Sequence, residues 1–176
     1  DLRQSLALTQ KDNHDLRAAL GLLTQLDAVI SEPPKWLAPK EARRFDTFIH
    51  YGLAAAIDAL KDCGIDLDKE AREQVGVCIG SGIGGLPLIE ETHNAFLAGG
   101  ARKITPFFVP GTIINLISGQ LSIMYGLKGP NLAVLTACST ANHCIGEAGR
   151  LIEYGDADVM VAGGAEMVTT ELGVGG

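Results

Sequence analysis

The chain has 176 residues, a formal net charge of −7, a hydrophobic fraction of 47% and a charged fraction of 20%. This balance is typical of one folded α/β domain, and it excludes a disordered segment and a generally basic nucleic-acid-binding protein. No apolar run approaches the roughly 18 residues needed to span a bilayer. We therefore expect a cytoplasmic protein that contacts neither nucleic acid nor membrane.

Two helices are predicted in the first third of the chain. Apolar residues at helical spacing predict the first over residues 11–30, and the proline-containing SEPPKWLAPKE after it predicts a junction. The second helix is predicted from about Arg43 to Asp62. Its buried face is expected to hold four apolar residues, Phe48, Leu53, Ile57 and Leu60.

Strands and helices alternate through the rest of the chain. The predicted strands are the short apolar runs QVGVCIGS at 74–81, NLAVLTA at 131–137 and DVMVAGGAE at 158–166. The predicted helices are LPLIEETHNAFL, the later part of ITPFFVPGTIINLISGQLSIMYG, and STANHCIGEAGRLIEYG. Strands separated by helices predict a mainly parallel sheet covered by helices, which is an α/β fold.

Cys138 is the candidate nucleophile. In LTACSTANHCIG it falls at a predicted strand-to-helix turn, where unpaired N–H groups and the helix dipole favour a thiolate. A thiolate attacks carbonyl carbons, and the same N–H groups can hold the oxygen of a tetrahedral intermediate. Free cysteines are also often buried packing residues, so the residues alone fit both interpretations about equally.

The other cysteines and the nearest histidine are predicted to be structural. The four cysteines form no CxxC pair, which indicates free thiols, and Cys63, Cys78 and Cys144 are expected to serve packing. His143 lies five residues along the predicted helix from Cys138. Its ring is poorly placed to act as the base for that sulfur.

GSGIGG at 80–85 matches the G-x-G-x-x-G fingerprint of dinucleotide sites directly after a strand. A Rossmann unit continues with a helix and a second strand that ends in an acidic residue. The segment AGGARKITPFFVPG, which follows the predicted helix, lacks that pattern. These glycines are therefore interpreted as allowing close packing around a site rather than as binding a nucleotide.

Several longer motifs carry a family resemblance: IGSGIGGLPLIEETH, ARKITPFFVPGTIINLISGQLSIMYGLKGPN, LTACSTANHCIG and YGDADVMVAGGAEMVTTELGVGG. From about Pro39 to Gly176 the chain resembles the N-terminal half of β-ketoacyl-[acyl-carrier-protein] synthases of the KAS II type. The resemblance implies an acyltransferase with a thiolase-like fold that acts as a homodimer in fatty-acid elongation. It implies a decarboxylative Claisen condensation of an acyl chain with malonyl-acyl-carrier protein. No metal or other cofactor is implied.

The resemblance also implies roles for individual residues. Cys138 corresponds to the cysteine that accepts the acyl chain, and its own N–H corresponds to one of two oxyanion donors. Ile83 corresponds to a residue that lines the acyl pocket, and Phe108 to one that reaches the partner's pocket across the dimer interface. Five basic residues correspond to positions that dock the acidic carrier protein: Lys40, Arg43, Arg44, Arg102 and Lys103. Without the resemblance, these charges would be interpreted as a solvated face.

Two departures from the family bear on function. Residues 1–35 are polar and predicted to be helical where the family opens with a β-strand, so the predicted organisation is a non-family segment followed by a synthase half at 36–176. The family's C-terminal half, with two catalytic histidines, is not among these 176 residues. We therefore expect a fragment of a longer protein or an unusual short chain. An inactive binding module and a polyketide ketosynthase stay open as alternatives.

Overall fold

The computed structural model of the protein describes residues 39–175. The predicted helix over 11–30, the junction up to residue 38 and the predicted non-family segment lie outside the described residues. No helix within 39–175 is long and apolar enough to cross a membrane.

Helix α1 comprises Pro39–Ala42, and α2 comprises Thr47–Asp62. Helix α2 begins four residues later than predicted because Asp46 caps it: Oδ1 of Asp46 accepts a hydrogen bond from Phe48 N at 3.2 Å. The four residues predicted for its buried face, Phe48, Leu53, Ile57 and Leu60, are buried. The prediction for this face is confirmed.

Among residues 39–175, three parallel strands form a sheet in the order β2-β1-β3. They are β1 at Val75–Gly80, β2 at Asn131–Leu132 and β3 at Val159–Gly164. All six residues of β1 pair with β3, from Val75 opposite Val159 to Gly80 opposite Gly164. The parallel sheet and the positions of β1 and β3 agree with the prediction.

The second strand is shorter than predicted. It was expected over residues 131–137, but only Asn131 and Leu132 pair with β1. The Ser118 hydroxyl lies where the next ladder bond would form: it accepts from Ile79 N at 2.9 Å and reaches Leu132 O at 2.7 Å. Because this hydroxyl takes the place of the direct bond, the ladder ends there and residues 133–136 continue without strand pairing.

Five further helices occur within residues 39–175. They are α3 at Leu86–Gly99, α4 at Phe108–Thr112, α5 at Leu116–Tyr125, α6 at Thr140–Glu153 and α7 at Glu171–Gly175. Single turns of 3-10 helix occur at Arg72–Gln74, Ala101–Lys103 and Ala137–Ser139. The helices predicted at 86–97 and 139–155 are confirmed to within two residues at each end.

The two faces of β1 are both buried. Cys78 faces α6, where it packs with Cys144 and Ala148. Side chains alternate along a strand, so Val77 and Ile79 face the opposite layer, and both are almost fully buried. Helix α6 covers one face of the sheet while α2 and α5 cover the other, and this arrangement holds the turn before α6 at the carboxyl edge of the sheet.

Candidate functional site

Three chain segments meet at the carboxyl edge of the sheet. They are the glycine loop at 80–85, the turn and helix start at 137–141, and the segment at 164–168 after β3. Together they line an open cavity of about 380 Å³. A larger opening of about 600 Å³ beside Asp58 and Asp62 lies on the surface of α2 and contains none of the predicted site residues.

The glycines of the loop permit close packing, as predicted. A Cβ added at Gly80 would lie 2.1 Å from Val134 O, and one at Gly85 would lie 2.8 Å from Thr112 Cα. Contacts this short exclude any side chain without movement of the backbone. The loop therefore lies directly against the segment that leads to Cys138.

Cys138 lies in the single turn Ala137–Ser139, immediately before α6 begins at Thr140. Its side chain is exposed and lines the cavity. The first helical hydrogen bonds run from Ser139 N to Thr136 O and from Thr140 N to Ala137 O, so the N–H of Cys138 precedes them. At this position the sulfur meets the positive end of the helix dipole.

The turn before Cys138 is strained and firmly held. Ala137 has φ of 52°, a left-handed conformation that costs a non-glycine residue about 1–2 kcal/mol. Two hydrogen bonds span this strained residue: the Thr136 N–H donates to Thr140 Oγ1 at 2.9 Å, and the Thr136 carbonyl accepts from Ser139 Oγ at 2.7 Å. Backbone strain of this kind persists only where the surroundings fix it.

His143 contributes to the same turn. Its Nδ1 contacts Thr136 Oγ1 at 2.5 Å, and its ring does not line the cavity. The interpretation of His143 as a structural residue agrees with this contact. Sequence reasoning missed the roles of Thr136 and Thr140, although hydroxyl residues just before a helix are a general signal of local side-chain bonding to the backbone.

The other three cysteines divide into two environments. Cys78 and Cys144 are buried, as predicted, and burial together with the neighbouring Cys144 raises the pKa of the Cys78 thiol to about 12. The prediction for Cys63 is wrong, because its side chain is exposed. Cys63 directly follows the last turn of α2, and its thiol donates to Leu60 O at 3.2 Å.

The structure brings Ile83 to Cys138 but not Phe108. Ile83 lines the same cavity and its side chain is 53% exposed. Phe108 begins α4 and is partly buried away from the cavity lining. Its predicted role across a dimer interface stays a prediction.

The predicted docking residues lie on two segments joined through an aromatic ring. The guanidinium of Arg44 lies 4.4 Å from the centre of the Phe107 ring, a cation–π contact. Lys40 and Arg43 are exposed on the first segment, and Arg102 and Lys103 are exposed on the second. The contact between Arg44 and Phe107 therefore joins the first basic segment to residues that closely follow Arg102 and Lys103 in the sequence.

Glu166 is a cavity residue that sequence reasoning missed. Its carboxylate accepts hydrogen bonds from Ser81 Oγ at 2.9 Å, Ile83 N at 2.8 Å and Gly84 N at 3.2 Å. The only signal in the sequence was an acidic residue at the end of the third predicted strand. Nothing local indicates that its partners lie more than 80 residues earlier.

The sequence profile described as "Beta-ketoacyl synthase, N-terminal domain" matches residues 13–176. This chain belongs to the β-ketoacyl synthase family. The family match begins inside the predicted segment 1–35, whose assignment as a separate segment stays a prediction. The cysteine turn, the glycine loop and the segment after β3 all lie within the match.

Two bacterial proteins illustrate the sequence similarity. It is 56% identical over 142 residues to 3-oxoacyl-[acyl-carrier-protein] synthase 2 of Vibrio cholerae, covering 81% of this chain and 34% of that protein. It is 48% identical over 155 residues to the protein of the same name from Coxiella burnetii, covering 87% and 37%. The chain thus spans about a third of the length of these relatives.

Solved structures give the same fold. A type II polyketide ketosynthase, bound to a hexaketide and in complex with its acyl-carrier protein, superposes with a TM-score of 0.75 at 29% identity. The superposition covers 79% of this chain and 40% of that one. A β-ketoacyl synthase from Burkholderia phymatum gives 0.61 at 24% identity over 74% of this chain and 32% of its own. The predicted thiolase-like α/β fold is confirmed.

Proposed function

We propose that these residues are the nucleophile-bearing part of a 3-oxoacyl-[acyl-carrier-protein] synthase, an acyltransferase in which Cys138 accepts the acyl chain. The observation that carries the proposal is the position of Cys138: exposed, at the start of a 14-residue helix, and lining an open cavity. A packing cysteine would be enclosed, as Cys78 and Cys144 are.

In the proposed first step, the Cys138 thiolate attacks the carbonyl carbon of an acyl thioester on the carrier protein. The tetrahedral oxyanion is held by the N–H of Cys138, which precedes the first hydrogen bonds of the turn. Collapse of the intermediate breaks the bond to the carrier's thiol, which leaves as a thiolate and takes a proton from solvent. The product is an acyl thioester on Cys138.

In the proposed second step, malonyl-carrier protein loses CO₂, and the resulting carbanion attacks the acyl thioester. The new carbon–carbon bond releases Cys138 as a thiolate, so the atoms and charges balance. The family resemblance assigns the histidines of this step to the C-terminal half. The step that we assign to the residues of this chain is therefore the acyl transfer.

Fatty-acid elongation is the proposed pathway class, in the cytoplasm and as a homodimer. The relatives named 3-oxoacyl-[acyl-carrier-protein] synthase 2 share up to 56% identity, whereas the polyketide ketosynthase shares 29%. In this proposal Ile83 limits the acyl chain inside its own cavity, and Phe108 approaches the cavity of the second subunit. No metal or other cofactor takes part.

The acyl carrier protein is the proposed partner. The basic segments around Arg44 and Arg102 offer a positive surface to an acidic protein, even though the net charge of the chain is −7. Stacking on Phe107 fixes the Arg44 guanidinium and so lowers the entropy lost when it binds a carboxylate or phosphate. This argument for a carrier-protein partner does not depend on the position of Cys138.

Acyl labelling tests the proposal. We expect an isotopically labelled acyl-carrier protein to transfer its acyl group to Cys138, as located by peptide mass spectrometry. Cys63 is the matched control because it is equally a free, exposed thiol but lies outside the cavity. Cys63→Ser should keep the transfer, and Cys138→Ser should lose it.

A general alkylating agent separates reactivity from recognition in the same experiment. It should modify both exposed thiols and spare Cys78, whose pKa is raised to about 12 by burial. Acyl transfer to Cys63 and Cys138 at similar rates would refute a dedicated nucleophile. A protein that binds acyl-carrier protein but never becomes acylated would instead be a binding module of this family.

A further inference from the structure

The loop that carries Ile83 is held by hydrogen bonds to the carboxylate of Glu166, which lies on another chain segment. Glu166 accepts hydrogen bonds from the backbone N–H groups of Ile83 at 2.8 Å and Gly84 at 3.2 Å, and from the Ser81 hydroxyl at 2.9 Å. Bonds to an ionised acceptor are about twice as strong as neutral ones. One side chain thus holds three of the four residues from Ser81 to Gly84 in this glycine-rich loop.

The sheet sets the distance between the loop and this carboxylate. Strand β1 ends at Gly80 opposite Gly164 of β3, and Ala165 N donates to Gly80 O at 3.1 Å one residue later. The two segments therefore leave the sheet side by side. Glu166 reaches the loop because residue 82 has no side chain: a Cβ there would lie 2.7 Å from Glu166 Oε2.

The contact fixes the backbone of Ile83 and leaves its side chain free. Ile83 is 53% exposed and lines the cavity, and Glu166 lines the same cavity from the other segment. Ser81 is buried and its hydroxyl also accepts from Gly84 N at 3.2 Å, so the inner side of the loop is anchored as well. The side chain of Ile83 is thereby presented to the cavity from a rigid base.

We propose that Glu166 is a positioning residue that sets the acyl chain-length preference of the cavity through the backbone of Ile83. This inference rests on the proposed function, because it presupposes that an acyl chain occupies the cavity beside Cys138. Glu166 acts on selectivity and not on the chemistry of the thioester, since its carboxylate oxygens are turned to the loop. Without the Glu166 carboxylate the loop can move, and Ile83 then no longer limits the length of the acyl chain in the cavity.

The test compares acyl transfer to Cys138 from carrier proteins that bear a short and a long saturated chain. Glu166→Ala should change the ratio of the two rates by about tenfold, the effect expected when a hydrogen bond to a charged group is lost. Glu166→Gln, which keeps one carbonyl acceptor, should restore part of the ratio. Glu171→Gln is the matched control, because it removes one negative charge five residues away without touching the loop.

A double-mutant cycle separates positioning from a general structural effect. In an Ile83→Ala background, the Glu166→Ala substitution should no longer change the ratio, because the side chain that it positions is gone. An unchanged ratio in Glu166→Ala alone, or an equal change with and without Ile83, overturns the inference. If Glu166→Ala does not fold, Ser81→Ala, which removes one of the three hydrogen bonds, is put through the same cycle.

The wild-type protein distinguishes this inference from the function on which it rests. If the wild-type protein is not acylated by either carrier, the proposed function fails. If the wild-type protein is acylated on Cys138 and Glu166→Ala keeps the same ratio, only the role of Glu166 fails. The rate at which a small alkylating agent modifies Cys138 should stay the same in all these variants.

Discussion

The core beneath α2 and the cavity beside Cys138 differ in the size of the side chains that build them. The core is filled by large apolar residues, such as Phe48 and Leu53, which are fully buried. The cavity is built from glycines, from a strained alanine and from hydrogen bonds such as those of Glu166. Apolar packing stabilises the first region, whereas close backbone approach shapes the second and leaves space for a ligand.

The core should show the largest effect on stability. Phe48 is 0% exposed, so Phe48→Ala leaves a cavity and should lower the free energy of unfolding by about 3–5 kcal/mol. Phe96→Ala on α3 is the control, because that ring is 42% exposed and its loss should cost less than about 1 kcal/mol. Urea unfolding measures both; equal losses would mean that ring size rather than burial decides.

The cavity should be sensitive to the addition of a single methyl group. A Cβ at Gly80 would lie 2.1 Å from Val134 O and 2.7 Å from Thr140 Cγ2. Gly80→Ala should therefore displace the start of α6, destabilise the protein by about 1–3 kcal/mol and slow the modification of Cys138. A substitution in the cavity is thus expected to lower both the stability and the reactivity of Cys138, whereas a substitution in the core is expected to lower stability.

Gly163 provides the control for that substitution. It lies on the neighbouring strand β3, and a Cβ there would meet nothing within 4 Å. Gly163→Ala should leave Cys138 reactivity unchanged and leave stability unchanged or raised by up to about 1 kcal/mol. Similar behaviour of the two alanine variants would show that close approach at Gly80 is not what shapes the cavity.

The smallest effect should be a pH dependence that arises at the edge of the core. Burial lowers the pKa of His50 below its usual 6.5, against the opposing effects of the Ala42 carbonyl, which its Nε2 contacts at 3.0 Å, and of Asp46. The unfolded chain therefore binds a proton more readily. The free energy of unfolding should be highest above 6.5 and fall as the pH drops from 6.5 through the lower folded-state value.

Urea unfolding at about pH 8 and about pH 5.5 measures how much the free energy of unfolding falls between these pH values. His50→Gln should reduce this fall, whereas His93→Gln, at an exposed position of α3, should retain it. Asp46 acts in the opposite direction at lower pH, since burial raises its pKa above 3.8 and its ionisation then lowers stability as the pH rises. If the free energy of unfolding depends on pH in His50→Gln as it does in the wild-type protein, a group other than His50 causes that dependence.

Local patterns in the sequence predicted most of the fold and part of the site. The β-branched run of β1 and the apolar spacing of α2 predicted buried elements, and both are observed where expected. The position of Cys138 before a helix followed from the same local reasoning. These features depend on residues that are close in sequence, which is why their spacing is informative.

Interactions between distant residues could not be predicted in this way. Ser118 ends β2 by bonding to Ile79, 39 residues earlier in the chain, and Glu166 holds Ile83, which precedes it by 83 residues. Neither serine nor glutamate carries a pattern that indicates such a partner. The exposure of Cys63 was missed for the same reason, because it depends on what lies beyond the end of α2.

The sequence by itself determined the alternation of strands and helices, the buried face of α2 and the placement of a cysteine at a helix start. It could do so because strand and helix periods are properties of neighbouring residues. Only the tertiary structure decided that Glu166 shares the cavity of Cys138 and Ile83. Three segments must leave the same sheet edge for that to happen, and hydrogen bonds between those segments exist only after the sheet has formed.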